Sequence, residues 1–275
     1  GSPNLAAARD RRSGAQVVVR HRTGAGGVVA MTHVLSQPAD GYLLMGTTKS
    51  QIFKIVTAKS DVNVEDFEWL AMNQSDPVFF NATATTEIYT WQQIVADAKA
   101  KEARGEKQIW VGPAAGGLDH VMAMKTWKAA GITAKYIPFK GGKRAVIELL
   151  GGRGIVYVGN PRDTLGQPKL KVAALARPER LPAFPDAPTF KELGIKGLDD
   201  EIMWRGFAIK AGIPDDVRKF WNTLFERVST DPEWVAHVKK SSIDPVLYKH
   251  EKFLSIIKKD MVEVEAWAKG AGILK

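Results

Sequence analysis

Between Gln108 and His120 the chain reads Gln-Ile-Trp-Val-Gly-Pro-Ala-Ala-Gly-Gly-Leu-Asp-His, and these residue types in this order suit the capture of an anion. Ile109–Val111 predicts a short strand and Gly112–Gly117 a turn of small residues. The spacing of Leu118, Val121, Met122 and Lys125 predicts a helix. A helix that opens out of such a turn presents unpaired backbone N–H groups and the positive end of its dipole. Pro113, Ala114, Ala115, Gly116 and Gly117 would let a carboxylate approach the main chain closely. The turn has neither the P-loop lysine nor G-x-G-x-x-G spacing, so it fits neither nucleotide fingerprint. A plain tight connection between a strand and a helix is the competing account.

His120 is the one histidine in this stretch, and capping or packing explains it better than catalysis, because no second ligand stands at metal spacing. Asp119 complements the helix N-terminus. No serine sits in a G-x-S-x-G elbow and no carboxylate pair stands out by spacing. The chain has no cysteine, which removes disulfides, thiolate metal sites and a thiol nucleophile. These residues argue against an enzyme and imply no metal and no cofactor. The alternative, an α/β enzyme acting on an anionic small molecule, would need His120 and Ser50 as base and nucleophile.

The elements that must position this turn are strands and helices in alternation. Gln16–Arg20 predicts a strand, followed by His21–Gly27 as a glycine-rich turn and a helix from Val28. Tyr42–Met45 predicts a buried strand, and Gly46–Ser50 a loop where Thr48 or Ser50 caps the next helix or offers a hydroxyl to a ligand. Lys49 there reads as solvent-exposed. Thr90 is the expected N-cap of a helix over Trp91–Ala103. Ala134–Ile137, Ile155–Val158 and Val172–Ala176 are further strands, with Pro138–Lys143 and Gly159–Asp163 as turns. Lys140 stands in the first of these. Ile202–Ile209 is extended, Pro214 opens a helix to about residue 228, and Glu251–Lys269 is a long amphipathic helix that must cover an apolar face. This alternation implies a mostly parallel sheet with ligands at the carboxyl ends of its strands.

With 275 residues and 45% hydrophobic residues the chain can fill one large α/β domain or two smaller ones. No apolar run is long enough to span a bilayer, so the protein is expected not to be membrane-embedded. The net charge of +9 is scattered, without clustered basic and aromatic residues. It therefore implies a field that favours small anions, and no nucleic-acid groove. No signal peptide opens the chain, so if the protein is exported this is expected to be a mature form.

Taken together, several segments resemble the extracytoplasmic substrate-binding proteins of tripartite tricarboxylate transporters, the Bug family. They are Arg22–Gly27, Pro38–Tyr42, Gly112–His120, Ile137–Gly142, Glu148–Gly152, Phe184–Glu192 and Trp204–Phe207, in family order over about residues 16–234. The resemblance implies a type II periplasmic binding protein, with two Rossmann-like α/β lobes joined by two crossing segments. Residues 1–82 and 206–275 would form the first lobe, and 83–205 the second. It also implies a carboxylate held by backbone amides and hydroxyls of facing loops, a periplasmic location, membrane transporter subunits as partners and a monomer. Carried over, Pro113–Gly117 with Asp119 and His120 forms the carboxylate loop of the second lobe. Thr23, Gly26, Gly27, Thr48, Lys49 and Ser50 line the first lobe; Asn160 and Asp163 close the second. Phe139, Trp204 and Phe53 would be aromatic walls. The family pattern has an apolar strand before its first glycine turn, whereas this chain opens at Gly1-Ser2-Pro3 as though inside that turn, with Ser2 in its loop. Ala115 or Gly116 replaces a hydroxyl residue usual in the second-lobe turn, so polar contact there would come from the backbone alone.

Overall fold

The computed structural model describes residues 17–22, 24–58, 60–83, 87–199, 203–270 and 274. In chain order its elements are α1 Val28–Leu35, β1 Met45–Thr48, α2 Lys49–Thr57, β2 Phe67–Asp76, β3 Val78–Thr83 and α3 Trp91–Ala103. There follow β4 Gln108–Pro113, α4 Leu118–Ala130, β5 Ala134–Phe139, α5 Gly142–Leu150, β6 Val156–Gly159 and α6 Pro161–Thr164. The last are β7 Leu170–Ala176, β8 Met203–Lys210, α7 Asp215–Thr230, α8 Pro232–Lys240, β9 Asp244–Lys249 and α9 His250–Gly270.

Two α/β lobes are built on two sheets, ordered β1-β8-β2-β9 and β5-β4-β6-β3-β7. The expected mostly parallel sheet is corrected. In the first sheet β8 runs antiparallel to both β1 and β2, and β9 antiparallel to β2. In the second, β4 is parallel to β5 and β6, but β3 is antiparallel to β6 and β7. The reason is the way the chain passes between lobes. β2 leads through Pro77 straight into β3, and β8 brings the chain back, so each crossing strand enters its sheet against its neighbours.

Local signals hold where capping chemistry sets them. Thr90 caps α3 at the expected residue, its hydroxyl accepting from Gln93 N while the Gln93 side chain accepts from Thr90 N. Thr48 and Gln51 form the same reciprocal pair at α2. α9 buries Phe253, Ile257, Val264 and Ala268 at helical spacing and lies on β2 and α2.

Two expected strands differ. Val17–Arg20 is exposed and takes no part in either sheet, because β-branched residues make a strand only where a partner strand supplies hydrogen bonds. Tyr42 is 91% exposed, and β1 starts at Met45 instead. Asp40 Oδ1 accepts from Tyr42 N at 3.0 Å, and Gly41 has a φ of 87°, so a tight turn holds the ring outside.

Each lobe has its own aromatic centre. Trp69, Trp204 and Phe253 meet edge to face in the first. Phe80, Trp91, Trp110 and Phe190 do so in the second. Each such pair adds about 0.5–1.5 kcal/mol beyond the area it buries. Both lobes are thereby rigid backings for the loops at their sheet ends.

Candidate functional site

The Gly112–Gly117 bend joins β4 to α4, and its shape follows from what crowds behind it. A Cβ on Gly112 would collide with the Tyr136 hydroxyl, which donates to Pro113 O at 2.9 Å. Ala114 N donates to Phe139 O at 3.0 Å, and Gly141 N donates to the same oxygen at 2.9 Å. One carbonyl thus ties the β4–α4 bend to the β5–α5 bend. Gly116 has a φ of 65°, and its N–H donates to His120 Nδ1 at 3.1 Å. The His120 ring stacks on Tyr136 with centroids 4.4 Å apart, and burial lowers its pKa. His120 is therefore a neutral clamp of the turn, with Nδ1 committed as acceptor and the proton on Nε2. Among the described residues no hydrogen bond joins it to Ser50, so the base–nucleophile pair of the enzyme alternative is not assembled.

Gly117 stands at the N-cap of α4 without a side-chain cap, leaving the first-turn amides to other acceptors. The first lobe repeats this arrangement. A 3₁₀ turn over Ala25–Gly27 leads into α1, whose N-cap Gly27 also lacks a side-chain cap. Both turns contain an alanine in the left-handed region, Ala25 with φ 45° and Ala114 with φ 38°. Such residues cost about 1–2 kcal/mol each and gather at ligand-handling loops.

The two turns meet through Lys54 of α2. Its stem crosses Gly26, where a Cβ would lie 2.5 Å from Lys54 Cε, and its ammonium donates to Ala115 O at 3.3 Å. The β4–α4 bend therefore faces the first lobe.

Behind the second-lobe bend lies a group of buried ionisable side chains. Asp119 is 6% exposed, and its Oδ1 has no partner among the described residues. Its pKa is pushed up to about 7, first by burial and then by the charge of Asp163. Tyr157 donates to Asp163 Oδ2 at 2.9 Å, and burial raises the phenol well above its ordinary value. Gly142 and Gly159 leave the space that Asp163 and the Tyr157 hydroxyl fill. At the crossing, Arg205 holds Asp76 Oδ2 through Nε at 2.8 Å and Nη2 at 2.6 Å. Arg162 belongs to the same field, its pKa lowered by burial and by Arg205.

The sequence-derived candidates divide accordingly. Pro113–Gly117, Asp119, His120, Phe139, Asn160 and Asp163 stand at or just after the carboxyl ends of the parallel strands β4, β5 and β6. Lys54, which lies on Gly26, reaches them from the first lobe, while Gly27 packs on Gln51. Asn160 Oδ1 is buried without a partner among the described residues. Phe139 packs its ring with the cluster around Val146 and Leu149, so its carbonyl serves the turns. Thr48 and Ser50 belong to the α2 cap, with Ser50 N donating to Thr48 Oγ1 at 3.3 Å. Lys49 is not exposed as expected. It is 4% exposed, and its ammonium meets Asp260 Oδ1 at 2.8 Å. Trp204 is 1% exposed in the first-lobe core, with Nε1 donating to Asp260 Oδ2 at 2.6 Å, and Phe53 is likewise buried. Ser2 and Thr23 lie outside the described residues. Sequence reading missed Lys54, Tyr136, Tyr157, Asp76 and Arg162. The only signal for the tyrosines is that glycines stand at the strand ends they fill.

Among the described residues no group of three or more His, Asp or Glu side chains could hold a metal ion. None of the described helices is long and apolar enough to cross a membrane.

Residues 4–271 match the family model described as tripartite tricarboxylate transporter family receptor. A Cupriavidus necator protein, named as a UPF0065 protein in the gbd 5' region, is 24% identical over 265 residues, covering 95% of this chain and 80% of its own. A Rhodopseudomonas palustris protein, MatC, solved with bound malate, is 18% identical with a TM-score of 0.76, covering 88% of this chain and 84% of that one. An R. palustris structure with adipate is 19% identical with a TM-score of 0.87, covering 98% and 90%. These solved structures share the two-lobed fold, that of the type II periplasmic binding proteins. The chain therefore belongs to the tripartite tricarboxylate transporter receptor family, as an extracytoplasmic solute-binding protein for small organic anions and not an enzyme.

Proposed function

We propose that the protein captures a small organic carboxylate between its lobes and presents it to membrane transporter subunits from the periplasm. The observation that carries this reading is a pair of uncapped helix N-termini, α1 after Gly24–Gly27 and α4 after Gly112–Gly117, whose turns are bridged by Lys54, which lies on Gly26 and donates to Ala115 O. One uncapped, positive helix end on each lobe suits a ligand with two negative ends, so we favour a dicarboxylate. An aromatic monocarboxylate is the second reading, supported by the stacked His120–Tyr136 pair beside the bend. Trp204 and Phe53 lend it no support, since both rings are buried in the core. In this reading Gly26, Gly27 and the first-turn amides after Gly117 hold the carboxylates, while Asn160 and Asp163 border the far wall. The sequence-derived bounds, 1–82 with 206–275 and 83–205, are moved in this reading to the crossing strands, so that β3 goes with the second lobe and β8, with Trp204 and Arg205, with the first. The protein acts as a monomer, needs no cofactor and binds no nucleic acid.

Thermal-shift screening over aliphatic and aromatic mono- and dicarboxylic acids tests the reading. A ligand present at about a hundred times its Kd adds about 2.7 kcal/mol of stability, so a binding acid raises the midpoint visibly. No rise with any carboxylate, alongside a rise with a sugar or a nucleotide, would overturn it.

A further inference from the structure

α2 carries two lysines with opposite situations. Lys49 is enclosed and paired with Asp260. Lys54 is partly exposed, and its printed contact is with a neutral group, the Ala115 carbonyl at 3.3 Å. Among the described residues no carboxylate pairs with it.

Its position is specific. The stem lies on Gly26 so closely that any Cβ there would press on Cγ, Cδ and Cε, and Gly26 is also left-handed. The ammonium lies 3.7 Å from where a Cβ on Gly116 would stand. One side chain thus touches both glycine turns. The second-lobe turn has only alanines, glycines and a proline, and its Gly116 amide already serves His120. A carboxylate arriving there finds helix-end amides and no side-chain charge within the turn itself.

We propose that Lys54 supplies that charge: its ammonium exchanges the Ala115 carbonyl for the ligand's carboxylate and holds the lobes together through it. The inference rests on the carboxylate-binding reading above. An ammonium has three N–H donors, so Lys54 can keep Ala115 O as one acceptor while taking a carboxylate oxygen as another. A charge-assisted bond of this kind is stronger than the bond to a neutral carbonyl that it replaces. Lobe closure then depends on a negative ligand, because without one the two lobes share only the weaker contact at this point.

The test starts from a carboxylate that binds the wild-type chain, identified by thermal shift. Calorimetry on wild type, Lys54→Met and Lys54→Arg then gives Kd at about 20 mM and about 500 mM salt. Methionine keeps a stem on Gly26 and removes the charge. We expect Lys54→Met to weaken binding roughly ten- to a hundredfold at low salt and to flatten the salt dependence, with Lys54→Arg within several-fold of wild type. Equal Kd and equal salt dependence in wild type and Lys54→Met would overturn the inference while leaving carboxylate binding intact. Lysine-labelled NMR of the wild type gives an independent reading: the Lys54 ammonium signal must shift on adding the ligand, and an unmoved signal also overturns the inference. If the wild type binds no carboxylate, the functional reading fails first, and this one with it.

Discussion

The lobes bury carboxylates in opposite ways. In the first lobe Asp260 accepts from the Lys49 ammonium and from the Trp204 indole, so both its oxygens are satisfied and its charge is balanced. In the second, Asp119 has an orphan oxygen, its strongest charged neighbour is another carboxylate, and burial holds its pKa near 7. The first arrangement joins α2, α9 and β8 and belongs to the scaffold. The second keeps a polar, poorly compensated group behind the bend where the ligand is proposed to enter. Buried charges that are fully paired mark structure, and those left unpaired mark the places where function is tolerated at the expense of stability.

Breaking the first pair should have the larger effect. Asp260→Ala takes a carboxylate away from both the buried Lys49 ammonium and the Trp204 indole, and urea denaturation should show a loss of about 3–5 kcal/mol. A loss below about 1 kcal/mol would mean that Lys49 finds other compensation and that the contrast between lobes is false.

Asp119→Asn should act in the other direction. A carboxyl whose folded pKa is raised from 3.8 to about 7 contributes fully below pH 3.8, and that contribution is lost as pH rises towards 7. The asparagine variant should therefore match wild type near pH 4 and exceed it by on the order of 1–3 kcal/mol near pH 8. His120 works with the opposite sign, since burial lowers its pKa and protonation destabilises the fold as pH falls through its unfolded value of 6.5. Melting curves of both proteins across this range separate the two groups, because only Asp119 is changed. A difference that does not grow with pH would place Asp119 among ordinary solvated acids.

The smallest expected effect concerns the bend itself. Ala114→Gly relieves a left-handed alanine and should stabilise by up to about 1 kcal/mol. Destabilisation instead would show that the methyl group packs usefully, and would separate this turn from its first-lobe counterpart at Ala25.

What the sequence disclosed follows from the range of the forces involved. Thr90 with Gln93, and Leu118 with its small-residue turn, are local arrangements, and α3 and α4 begin and end where their residues indicate. Sheet direction depends on pairings such as Asp76 with Met203, which no window of neighbouring residues contains. The Gly112–Gly117 bend was legible as an anion-suited turn because a helix opens directly from it. Lys54 was not, for it reaches Ala115 across 61 positions and looks in sequence like any lysine on a helix. Lys49 was misread for the same reason: Asp260, which draws it inside, lies in the last helix.

The return strand β8 carries a final consequence. It separates β1 from β2, so the centre of the first sheet is made from a segment synthesised only after the whole second sheet has emerged. A nascent chain stopped before Met203 would carry a finished second sheet beside two first-sheet strands, each lacking the neighbour it pairs with. During synthesis those open edges invite pairing with other chains, so a factor that shields them until about the last quarter of the protein arrives would raise the yield of active receptor.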